Sequence, residues 1–297
     1  MLVEIALKAK NFYQSRVFTE GGNHREQRKL TKDEIVEVSK VPEVTLGFWL
    51  IKILATTLGE TAGDTLSMTW LGETTPHATH SWLSGYLIGT IVFGLLLVAL
   101  VWIQIRARRF NPWLYWVTII ASTTAGTTLA DFADRSLGIG YPGGSLLLFA
   151  CVLFSLFSWH RSLGTVDVNT ITSPKAETFY WITITFSQTL GTALGDWIAD
   201  SGPGYSGGAL IFGAGLLFLV ALYYASNISR VALFWAAFIL TRPLGATVGD
   251  FLDKPVAKGG LAFSRPVASA TLAVVIVLLI LILPQKAGRH PGKEQVA

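Results

Sequence analysis

Four aspartates, Asp64, Asp131, Asp196 and Asp250, each follow a tryptophan by fifteen residues and a glycine by five: Trp49/Gly59/Asp64, Trp116/Gly126/Asp131, Trp181/Gly191/Asp196 and Trp235/Gly245/Asp250. Fixed spacing repeated four times is an internal repeat. A second acid accompanies each copy: Asp134, Asp200 and Asp253 stand about one helical turn beyond their aspartates, and Glu60 one turn before Asp64. Carboxylates are hard oxygen ligands. Eight of them at one level suit Mg²⁺, Mn²⁺, Ca²⁺, a monovalent cation or protons, and argue against a soft ion such as Cu⁺. Their crowding also makes proton coupling physically available. Thr57, Thr124 and Thr189 each precede their aspartate by seven residues, within about 20° of the same helical face, and extend the oxygen set as an inner approach to the acids.

The elements that must position these residues are read from composition. Of the 297 residues 51% are hydrophobic and 14% charged, and the mean hydropathy is +0.50. That is too apolar for an ordinary soluble domain. Eight apolar runs, starting near Val44, Ser84, Trp113, Gly143, Thr178, Gly207, Val231 and Ala268, are each about 17 to 23 residues long and match a hydrocarbon core of about 30 Å. The sequence therefore predicts an all-α integral membrane protein with eight transmembrane helices in four parallel two-helix repeats. The divisions are a partly amphipathic tail over 1–43, repeats over 44–110, 111–177, 178–230 and 231–284, and a second tail over 285–297. In the first tail Leu2 to Lys10 reads as a short surface helix and Thr31 to Glu34 as a capping box. No secretory signal peptide is legible at its start.

The net charge is +4. The tails and the loops on their side of the bilayer hold 17 of the 23 Lys and Arg residues, so the positive-inside rule places both termini in the cytoplasm and accounts for the charge without nucleic acid. With an even number of spans per copy, the four copies are parallel, and a ring or a pair of pairs about an axis along the membrane normal follows. The second helix of each copy carries almost no ionisable residue and suits a lipid-facing outer layer; the first, with Thr, Gly and Asp, suits an inner one. Fifteen residues of helix rise about 22 Å. With each Trp anchored at the cytoplasmic interface, the aspartates lie at one depth in the outer half of the hydrocarbon.

Inside the runs only Lys52 and Arg242 oppose the eight acids. Each charge facing lipid costs about 2.5 to 3.5 kcal/mol even on insertion scales, so the acids must face one another, water or a cation. Lys52 and Arg242 read as charge compensation across the bundle, or as tethered cations that stand in for substrate; the alternative for Lys52 is snorkelling to the membrane edge. The alternative for the acids is polar glue between helices. Gly59/Gly63, Gly191/Gly195 and Gly245/Gly249 form GxxxG pairs, with Gly126/Ala130 as a small-residue variant, and predict close approach of the inner helices. Cys151 is an apolar filler that excludes an intramolecular disulfide. His77 and His80 beside Glu73 read as a solvated loop rather than a metal site. No Ser-His pair or HExxH is present. Thr61, Thr128, Ala193 and Thr247 stand where an intramembrane aspartyl protease has the first Gly of Gly-x-Gly-Asp. An enzyme is not expected.

The four-copy pattern over Val41 to Pro284 resembles a bacterial inner-membrane family built from four tandem copies of a two-span repeat of unknown function. The resemblance implies eight spans and a bacterial cytoplasmic (inner) membrane, and no activity. Copy four departs from the pattern, with Arg242 and Pro243 where the first two copies have Thr-Thr. Glu60 to Thr65 is also similar, with one insertion, to the Glu-x-Gly-Asp motif of some cation/proton exchangers. The sequence expectation is a transporter of a cation, a divalent metal first, bound by Asp64, Asp131, Asp196 and Asp250, with Glu60, Asp134, Asp200 and Asp253 relaying ions or protons. The alternatives are a proton-coupled transporter of a small organic solute and a non-transporting scaffold or sensor. The partners expected are the lipid bilayer and an inorganic cation or proton; homo-oligomerisation is left open.

Overall fold

Helix starts are written into the chain. Thr45, Ser84, Asn111, Ser173 and Ser229 each accept a hydrogen bond from the backbone N–H three residues on, and each opens a long helix. In the computed structural model, which describes residues 38–73 and 84–289, these signals yield eight α-helices: α1 (Leu46–Asp64), α2 (Gly85–Arg106), α3 (Pro112–Asp131), α4 (Tyr141–Leu163), α5 (Pro174–Asp200), α6 (Gly204–Ala225), α7 (Arg230–Asp253) and α8 (Arg265–Ile282). Pro112 and Pro174 begin α3 and α5, where a missing N–H costs nothing. Single π-helical stretches prolong α1 over Thr65–Trp70 and α3 over Phe132–Ser136. The segments read from Leu2 to Lys10 and Thr31 to Glu34, His77, His80 and the end of the C-terminal tail lie outside the described residues.

Five of the helices, α2, α4, α6, α7 and α8, are long and apolar enough to cross a membrane. On α2, α4, α6 and α8 the large apolar side chains point outward: Leu95, Phe154, Leu217 and Ile282 are all at least 67% exposed. A soluble protein does not present such a surface to water. This is a multi-pass membrane protein.

The first helices of the four copies pack in a closed ring, α1 on α3, α3 on α5, α5 on α7 and α7 back on α1. The second helices lie outside. Each packs chiefly against the first helix of the following copy, α2 on α3, α4 on α5 and α6 on α7, and α8 closes the circle on α1. The shielded helices α1, α3 and α5 carry the Thr, Gly and acidic residues and are the three that fall outside the apolar set.

Aromatic rings seal one end of this inner ring. Phe48 meets Trp116 at 5.5 Å between centroids, Tyr115 meets Trp181 at 6.0 Å, Tyr180 meets Trp235 at 6.3 Å and Phe234 meets Trp49 at 5.7 Å, so the same contact passes from every copy to the next. The Tyr115 and Tyr180 hydroxyls share a hydrogen bond of 2.7 Å. The repeated tryptophans are thus packing residues: Trp116, Trp181 and Trp235 are buried against the neighbouring inner helices. A strap crosses the same end. Strand β1 (Val38–Pro42) pairs antiparallel with β2 (Ala287–Arg289). Lys40 of β1 reaches Glu177 at 2.5 Å and the last carbonyls of α2, Gln104 and Ile105, at 3.2 and 3.1 Å.

Candidate functional site

The glycines set the geometry of the ring. A Cβ on Gly59 would fall 2.2 Å from Thr123, on Gly126 2.9 Å from the Gln188 backbone, on Gly191 2.2 Å from Arg242, and on Gly245 2.2 Å from Thr56. In every case the partner stands three residues before the next copy's glycine. The four inner helices therefore touch in one register, and the small residues serve close approach, as GxxxG predicts. Residues one past each glycine, Glu60, Thr127, Thr192 and Ala246, form the next layer. Arg242 reaches three of them at once: its Nη2 donates to Glu60 Oε2 at 2.9 Å, Thr127 Oγ1 at 2.6 Å and Thr192 Oγ1 at 2.5 Å. Those contacts come from α1, α3 and α5, so the guanidinium, fully buried, sits at the centre of the ring.

The repeated aspartates lie one turn beyond. Asp64, Asp131, Asp196 and Asp250 are all buried, with Glu60 and Asp253. Carboxylate oxygens of Glu60, Asp196 and Asp250 fall within 4.8 Å of one another, and so do those of Asp64, Asp250 and Asp253. Bases are interleaved. Arg135 joins Asp131 at 2.9 Å to Asp196 at 3.2 Å. Lys254 joins Asp250 at 2.9 Å to Asp64 at 2.5 Å. Arg265, at the start of α8, stands 3.4 Å from Asp253 and 3.8 Å from Asp64. The bases bind copy two to copy three and copy four to copy one. This is the pair-of-pairs arrangement imposed on a fourfold ring.

Several sequence expectations change here. Eight acids do not gather; six do. Asp200 is exposed at the end of α5, at the register where copies two and four carry Arg135 and Lys254. Asp134 is half-buried, with one oxygen directed toward Gly144 of α4. Thr57, Thr124 and Thr189 donate to carbonyls of their own helices, Ile53, Ile120 and Thr185, at 3.0, 2.8 and 3.0 Å. Two of them lie at seams between inner helices: the Thr57 carbonyl and Thr189 backbone N–H face Gly249 and Gly126. Arg242 does compensate a carboxylate, Glu60. Lys52 does not: among the described residues its Nζ has no hydrogen-bond partner, and it lies over the Phe238 ring, 4.1 Å from the centroid.

The bases that matter most are those charge counting leaves in external loops. Arg135 and Lys254 each follow their copy's aspartate by four residues, the spacing that brings opposite charges together on a helix. That signal is present in the sequence. Arg265 carries none, since its partners lie on α1 and α7 and their prolongations.

All four copies match one family model, described as a repeat of unknown function (DUF347), at residues 47–110, 114–165, 179–229 and 233–285. The chain belongs to the DUF347 family. Each DUF347 copy contributes one inner and one outer helix, and the matched segments end in the loops between copies. No curated protein and no solved structure matches the chain.

Proposed function

We propose that this DUF347 protein is a transporter of the bacterial cytoplasmic membrane, with all eight helices crossing the bilayer and both termini in the cytoplasm, and that its substrate is a divalent cation such as Mg²⁺, Mn²⁺ or Ca²⁺. The observation that carries this reading is the convergence of six buried carboxylates, drawn from every copy, on four bases. With every group ionised, the cluster keeps two negative charges in a setting where lipid offers no compensation. One divalent ion restores neutrality. The oxygens of Glu60, Asp196 and Asp250 lie within 4.8 Å of one another, and at Ca–O distances of about 2.3 to 2.6 Å opposed ligands are about 4.6 to 5.2 Å apart. Mg²⁺, which takes oxygens at about 2.0 to 2.1 Å, would draw the three slightly closer. The same charge count supports a second reading, in which two protons neutralise the cluster and drive a small organic solute.

The test uses the purified full-length protein in detergent, with Mg²⁺, Mn²⁺, Ca²⁺ and Zn²⁺ added as gluconate salts. A saturable rise in the thermal unfolding midpoint with at least one ion, lost in Asp196→Asn and Asp250→Asn, and metal-dependent flux in proteoliposomes support metal transport. No midpoint shift with any ion, together with proton flux that ignores metal, would give the second reading precedence.

A further inference from the structure

At the register of Arg242 and one turn toward the aromatic end, the ring holds donors that lack acceptors among the described residues. Lys52 is fully buried, one turn below the layer of Thr56, Thr123, Gln188 and Arg242, and its ammonium makes no hydrogen bond. Arg242 commits Nη2 to Glu60, Thr127 and Thr192, whereas its Nε and Nη1 meet no acceptor. Gln188 and Thr123, both fully buried and at the register of Arg242 in α5 and α3, also leave Nε2, Oε1 and Oγ1 without partners. Among these atoms only Gln188 Oε1 is purely an acceptor. At the register of Lys52 the other copies supply Ile119, Ile184 and Phe238, all fully buried, so hydrocarbon closes the space toward the aromatic end.

Unmade donors on two buried bases call for an acceptor, and a charged one meets the charge as well. A cation would be repelled by both. Water would hydrogen-bond them but leave the charge. We propose that this layer binds a small monovalent inorganic anion of the halide class, held between Lys52 and the free edge of Arg242, with Gln188 and Thr123 as neutral donors. Monovalency follows from the charge count: Glu60 already balances Arg242, which leaves the single charge of Lys52 to be met. Small size follows from the packing, because the glycine contacts hold the four inner helices together one turn away. The site is separate from the carboxylate tier. It would stand whether or not that tier carries metal.

The experiment compares thermal unfolding of the purified full-length protein in sodium gluconate with sodium chloride, bromide and nitrate at constant ionic strength. The expected result is a saturable rise in midpoint with chloride and bromide over gluconate. Lys52→Met should lose that rise while melting in gluconate no lower than wild type, since it removes an uncompensated buried charge; Gln188→Leu should weaken the halide response. No halide-dependent shift in the wild type, or an unchanged shift in Lys52→Met, would overturn the proposal. If Lys52→Met does not fold, anomalous scattering from bromide-grown wild-type crystals decides: a peak between Lys52 and Arg242 supports the site and none rejects it.

Discussion

Arg242 occupies the register where the other copies have Thr56, Thr123 and Gln188, and one side chain thereby decides what the centre of the ring holds. Its hydrogen bonds to Glu60, Thr127 and Thr192 tie copy four to the other three. Removing the charge of Glu60 breaks the buried ion pair of Arg242 at 2.9 Å, an effect of about 3 to 5 kcal/mol. Glu60→Gln should therefore lower the unfolding midpoint sharply, and Glu60→Gln with Arg242→Met should recover much of the loss. Strictly additive losses in that double-mutant cycle would show that the two groups are not coupled. Position separates the acids in the same way. Asp200 is exposed, so Asp200→Asn should change stability by no more than about 0.5 kcal/mol and leave any metal-dependent stabilisation intact. Asp250→Asn, at the junction of both carboxylate groups, should abolish it. Equal responses from the two variants would remove the reason for assigning the ion to the inner six.

At the level of the helices, the inner four are legible because one packing problem is solved four times, and the solution fixes the Trp, Gly and Asp spacing. Sequence spacing gives the depth of Asp64, Asp131, Asp196 and Asp250 but is poor at faces. Asp134 and Asp200 fall outside the cluster although each stands about one turn beyond its aspartate, and hydropathy assigns Arg135 and Lys254 to loops because it scores a charge as external whatever it pairs with. Which outer helix covers which inner one is not legible at all, since apolar faces such as those of α2 and α4 are interchangeable in pattern. Nor does the Thr stripe reveal that its hydroxyls are already bonded within their own helices. The glycines, in contrast, support a sharp comparison. A Cβ on Gly126 would stand 2.9 Å from backbone atoms of Gln188 and Thr189, whereas one on Gly94 of α2 would meet nothing within 4 Å. Gly126→Ala should cost about 1 to 3 kcal/mol, because backbone cannot yield as a rotamer does. Gly94→Ala should be neutral or stabilising by up to about 1 kcal/mol from helix propensity. Reversible unfolding of the two variants side by side checks the contrast. Equal effects would mean that the inner helices do not touch in this register.

For the whole molecule, the decisive property is closure. Because α8 covers α1 as α2 covers α3, no copy is structurally first, and the outer helix of each copy completes its neighbour rather than itself. The chain ends of the described bundle also meet, since β1 and β2 pair with Val38 opposite Arg289. A type I′ Asn-Gly turn joining Arg289 to Val38 would therefore convert the strap into a hairpin. Opening the chain between α2 and α3, at Arg108, would begin it at copy two. Each copy contributes a pair of helices, so the cut leaves every helix running in its present direction. The permuted chain should fold, melt close to the unpermuted Val38–Arg289 chain, and show the same metal and halide responses, because every interhelical contact, Lys254–Asp64 across the old ends included, is retained. An aggregated permutant, with the unpermuted Val38–Arg289 chain folded, would show that the order in which the copies enter the membrane, rather than the closed ring of contacts, selects the structure. The ring would then be a product of insertion, and the coupling between copies four and one would have to be weaker than that between two and three.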